Sequence, residues 1–141
     1  MRLRTIQTAA LAGILAAPTA FAAQFDGSRP LLCSAYRMFE CDIEAGCVPV
    51  QPTEIGASSA WELDFRKMEM TGTAPGSAAN AIDKMEVLDG KLFLTGVQDG
   101  LPVQRDGVAY SVAINDPDGF MSITVAGEHV AFVGLGNCAP R

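Results

Sequence analysis

The chain has 141 residues, 49% of them hydrophobic and 18% charged, with 16 acidic against 10 basic side chains and a net charge of −6. That is the length of one domain with a core of its own. The negative balance sets nucleic acid and anionic membrane surfaces aside as partners, because both repel it.

The first 22 residues read as a secretory signal peptide. Arg2 and Arg4 form a basic start, Thr8–Ala17 is an apolar stretch too short to span a bilayer, and Ala20-Phe21-Ala22 is a small-x-small cleavage pattern. Cleavage after Ala22 leaves residues 23–141 as a single β domain with 8 basic and 16 acidic side chains, a net charge of about −8. No cysteine stands at the cleavage point to carry a lipid, and Arg2-Leu3-Arg4 is not a twin-arginine pair. Export is therefore expected in the unfolded state, with no cofactor loaded beforehand. No later apolar run approaches the ~20 residues of a spanning helix. The expected location is the periplasm of a Gram-negative bacterium or the outside of the cell, with no membrane insertion after cleavage.

Downstream, short apolar segments alternate with turn chemistry. Leu31–Asp42 after Pro30 is the first expected strand and Cys47–Gln51 the second. Between them Asp42–Gly46 forms a short polar turn bracketed by Cys41 and Cys47. The four cysteines allow three pairings. In an oxidising compartment disulfides are the default. The short turn favours Cys41–Cys47, which leaves Cys33–Cys138 to join the two ends of the domain.

Pro52–Ala60 reads as a loop with room for one helical turn. Trp61–Arg66 is the clearest strand, with Trp61, Leu63 and Phe65 on one face and Glu62, Asp64 and Arg66 on the other. Met68 and Met70 continue an alternation after a reversal at Lys67, and Thr73–Asn80 reads as a loop of small residues. Ile82, Met85 and Val87 mark a weaker strand with a helical turn as the alternative. Asp89-Gly90 is a hairpin signal leading into the strand Lys91–Val97. Turn residues from Asp99 to Gly107 precede Val108–Ile114, whose Tyr110, Val112 and Ile114 share a face. Asn115–Gly119 is a turn, Phe120–Ala126 a strand with Met121, Ile123 and Val125 inward, Gly127–His129 a turn, and Val130–Leu135 a last strand running to Cys138.

Eight or nine strands with short reversals, and no helix between them, make an all-β, antiparallel meander. The expected architecture is a small up-and-down barrel stapled by disulfides, with a two-sheet sandwich as the alternative.

The candidates for chemistry are few. His129 is the one histidine and stands in a polar turn without the oriented partner that a general base needs. Ser58, Ser59 and Ser77 lie in loops without a Gly-x-Ser-x-Gly elbow. Asp116-Pro117-Asp118-Gly119 resembles part of a calcium loop, but Ile114 and Val125 occupy the positions of its first and last ligands. Glu62, Asp64 and Glu69 alternate as acids on the wet face of a strand do. There is no Cys-x-x-Cys, and zinc lacks a ligand set. Met68 and Met70 are weak candidates for a thioether copper site. Trp61, Phe65, Tyr110 and Ile123 are the candidate wall of a ligand cavity, since small barrels can hold one apolar molecule.

Four stretches carry a resemblance: Phe25–Cys33, Phe39–Asp42, Asp89–Leu92 and Val130–Cys138. They resemble a family of small exported proteobacterial proteins to which no activity is assigned. The resemblance spans most of the chain after residue 22. It implies export and a compact disulfide-containing domain, and it transfers no site residues. The expected function is a non-enzymatic exported β domain that binds a small or apolar ligand or an envelope partner, without a cofactor. The alternatives are a structural or interaction protein with a filled core and, behind it, a hydrolase or a copper-binding protein.

Overall fold

The computed structural model describes residues 24–99, 107–116 and 118–141. The predicted signal peptide, its cleavage point, most of the Asp99–Gly107 turn and Pro117 lie outside the described residues.

The described residues form strands β1 (Leu31–Asp42), β2 (Gly46–Val50), β3 (Ala60–Asp64), β4 (Glu69–Gly72), β5 (Ala79–Ala81), β6 (Lys84–Leu88), β7 (Lys91–Gln98), β8 (Val108–Asn115), β9 (Phe120–Ala126) and β10 (Val130–Pro140), with a 3-10 turn at Pro52–Ile55. Alternation decides most of them. In β8, Tyr110, Val112 and Ile114 are buried while Ala109 and Ser111 face water. In β7, Leu92, Leu94 and Gly96 are buried and Phe93, Thr95 and Val97 are not. The β6–β7 hairpin turns on Asp89 and Gly90, with φ of 50° and 69°, the paired left-handed geometry whose twist suits antiparallel strands.

All ten strands belong to one antiparallel sheet in the order β5-β4-β3-β1-β10-β9-β8-β7-β6, with β2 also paired to β1. Apart from the β2 branch, neighbours in space are neighbours in sequence, and the first and last long strands pair from Leu31↔Pro140 to Asp42↔Val130. The sheet is thus a meander curled into a half-barrel, not a two-sheet sandwich. Its outermost strands, β5 and β6, are separated in sequence only by Ile82 and Asp83. Across that seam the Ile82 N–H donates to the Met68 carbonyl (2.8 Å), and the Asp83 N–H to that of Thr95 (2.9 Å).

Both disulfides join residues directly opposite one another on paired strands: Cys33–Cys138 across β1 and β10, and Cys41–Cys47 across β1 and β2. No described cysteine is free. Two persistent disulfides point to an oxidising compartment outside the cytoplasm. No helix of the described residues is long and apolar enough to cross a membrane.

The cross-strand registers stack the interior in levels. Leu92, Ile114 and Met121 lie side by side, then Leu94, Val112 and Ile123, then Gly96, Tyr110, Val125 and Phe132. Leu31, Leu63, Leu92, Leu94, Ile114 and Met121 are fully buried. Phe25 closes the first level; it is 4% exposed, and its ring lies where a side chain at position 119 would stand.

Beyond shifted strand ends, such as β3 stopping at Asp64 instead of Arg66, the sequence reading differs from the structure in three places. Ala79 and Asn80, at the end of the expected Thr73–Asn80 loop, form β5 together with Ala81, because they complete a ladder with β4 through their backbone and show no alternation of side chains. The weak strand through Ile82–Val87 is divided: Ile82 belongs to the seam, and β6 begins at Lys84. Met68 does not share a strand face with Met70; it ends the β3–β4 turn with φ of 54°.

Candidate functional site

The described residues do not fill the third level of the interior. Tyr110 lies over Gly96 there, and Val125 and Phe132 complete that wall. The facing wall is short strands and connections, which contribute Trp61, Gly72, Asn80 and the small residues Ala57, Ser58, Ser77 and Ala78. Side chains that small occupy little of the space between the two walls. A cavity of about 340 Å³ remains, open at this end and floored by Met38, Met70, Ile123 and Gly134.

Its polar groups are mostly occupied. The Tyr110 hydroxyl donates to the Ala81 carbonyl at 2.5 Å, which ties β8 to β5 across the seam. Burial pushes the Tyr110 phenol up to about 12, with the Asp83 carboxylate adding to the effect. The Asp83 carboxylate itself accepts the Val97 N–H (2.9 Å). The Ser58 and Ser77 hydroxyls are 3.2 Å apart, and Ser58 accepts the Ala74 N–H. The amides of Asn80 and Gln98 line the opening. Among the described residues no Lys, Arg, Asp, Glu or His lines the cavity.

Of the residues named from sequence, Trp61, Tyr110 and Ile123 line this space. Phe65 does not. It sits just beyond β3, buried beside Gly27 at the closed end, because two further steps along the alternation from Trp61 move a side chain about 13 Å down the half-barrel. Met70 lines the cavity and Met68 does not, so the structure separates the two thioethers. Met38, Val125 and Phe132 belong to the site and were not singled out. Met38 is hidden by a bulge between Ala35 and Arg37, which reverses the inward parity of β1. Phe132 is hidden in a continuous apolar run, where a period of two cannot be read.

The remaining candidates resolve into structural contacts. His129 is exposed at the β9–β10 turn with φ of 64°, 3.7 Å from Glu128. Glu62 pairs with Arg141. The Asp64 carboxylate accepts the Lys67 and Arg66 N–H groups, which holds it below the usual carboxylate range. Glu69 lies opposite Asp64 on β4. Asp118 accepts the Phe120 N–H and Asp116 accepts that of Gln24. Ser59 contributes its carbonyl to the Ala35 N–H. Among the described residues no three His, Cys, Asp or Glu side chains are placed to hold a metal ion.

No known family, curated protein or solved structure matches the chain.

Proposed function

We propose that this protein is an exported, periplasmic binding protein that holds one small apolar molecule in the open end of its half-barrel. The observation that carries the reading is the contrast between the two ends. Phe25 seals one, whereas the other keeps about 340 Å³ walled by Trp61, Tyr110, Phe132 and Met70. An interior ordinarily collapses to close packing, and a concave, largely apolar space with a few polar groups is the form that small-molecule sites take. The signal-peptide pattern of residues 1–22 supports the address, and the two disulfides agree with it. Binding without chemistry is favoured because the one histidine stands outside the cavity.

The test uses N-phenyl-1-naphthylamine, an uncharged dye that brightens in apolar surroundings, titrated into protein recovered from the periplasm. Saturable brightening is expected, and Ala78→Trp at the rim should abolish it while circular dichroism stays unchanged. No brightening, or equal brightening in the Ala78→Trp protein, refutes the site.

A further inference from the structure

We infer that the cavity selects an uncharged aromatic molecule of roughly bicyclic size and rejects organic anions. The inference rests on the ligand-binding reading above and names the ligand class. Size comes first. A protein cavity of roughly 150 Å³ accommodates benzene. About 340 Å³ is a little more than twice that, enough for two fused rings with a substituent.

Charge comes next. Among the described residues, no lining side chain is ionisable in the ordinary range, and the Tyr110 phenol is held neutral. A carboxylate or phosphate drawn inside would lose its water and meet no cation among those residues, which is the costly way to bury a charge. The approach adds to this. Glu40 shares Met38's face of β1 and lies directly opposite Phe132, at the level of the cavity, and the chain after residue 22 carries a net charge of about −8. An anion is therefore repelled as it approaches and finds no cationic partner among the described lining residues.

Shape and polarity complete the class. Trp61, Tyr110 and Phe132 offer ring faces and edges, and Met38 and Met70 offer polarizable thioethers, which pair well with aromatic rings. A saturated chain makes none of those contacts. The hydroxyls of Tyr110, Ser58 and Ser77 are engaged within the protein. The Asn80 and Gln98 amides at the rim can both donate and accept, which suits a hydroxyl, carbonyl or amide on the ligand.

Isosteric probes separate the terms: 2-naphthol, 2-naphthoate and 2-naphthylmethylammonium share a ring system and differ in charge, and 1-decanol is neutral without rings. Each displaces N-phenyl-1-naphthylamine from the full protein, with isothermal calorimetry as the direct measure. Expected is 2-naphthol binding at least ~10-fold tighter than 2-naphthoate, since only the anion pays for losing its water. It should also lead the ammonium and 1-decanol, and Ala78→Trp should weaken it at least ~10-fold by blocking the opening. Naphthoate or the ammonium equal to or tighter than naphthol overturns the charge argument, and 1-decanol tighter overturns the aromatic one. Either result leaves the binding site standing, because some probe has bound. If neither the dye nor any of the four binds, the site itself is overturned and the inference with it.

Discussion

Removing the Cys33–Cys138 disulfide should destabilise the protein far more than removing Cys41–Cys47, although both are cross-strand bridges within the same sheet. The bridges differ in the length of chain they close, 105 residues of separation against 6. Treating the bridge as a constraint on the unfolded chain gives about 4.8 kcal/mol for the long loop and about 2.2 kcal/mol for the short one. Burial widens the gap. Cys33 and Cys138 are 1% and 5% exposed, so alanine at each leaves a small void, whereas Cys47 lies at the surface. Against a total stability of about 5–15 kcal/mol for a domain, the Cys33→Ala/Cys138→Ala protein should stay folded at moderate temperature but far nearer its threshold. Urea unfolding followed by far-ultraviolet circular dichroism reads the difference. Because the uncrosslinked chain expands more and steepens the denaturant slope, the comparison is made in extrapolated free energy and not in midpoints. A Cys41→Ala/Cys47→Ala protein that loses as much as, or more than, Cys33→Ala/Cys138→Ala would refute the loop-length argument.

Two further outcomes test the seam. Tyr110→Phe should cost about 1 kcal/mol by leaving the Ala81 carbonyl without its donor. Because burial and the Asp83 carboxylate raise the folded phenol from 10.0 to about 12, the stability tied to its neutral form is whole below about pH 10 and is lost as pH rises through about 12. Alkaline unfolding curves of wild type and Tyr110→Phe should diverge over that window, and coincident curves would show that the phenol is not buried beside Asp83. Gly96→Ala should cost about 1–3 kcal/mol by overpacking, since the new methyl would sit 2.5 Å from the Tyr110 ring and press on the Ala81 carbonyl. An unchanged melting temperature would contradict that placement of the ring.

Much of the fold was legible because it is local. β1 from Leu31 to Asp42 and β9 from Phe120 to Ala126 are read from the sequence to the residue. The hairpin at Asp89-Gly90 follows from two residues that tolerate positive φ. The cysteine pairing follows from one short turn and the remainder. Where reading failed, the deciding interaction was with a distant strand. β5 exists because β4 offers it a backbone ladder, and Met38 faces inward because an extra residue near Tyr36 shifts the parity of β1.

The sequence by itself determined an acidic, all-β, disulfide-stapled meander, since strand alternation and turn preference are properties of a few adjacent residues. Three of the four residues proposed for a cavity wall do line one, because alternation put them on the inner face. Only the tertiary structure decided that the described residues leave the third level open and that Phe65 belongs to the closed end. A void depends on what faces what across the sheet. Gly72, Ser77 and Ala78 are ordinary small residues until the meander curls and sets them around one cavity with Tyr110 and Phe132.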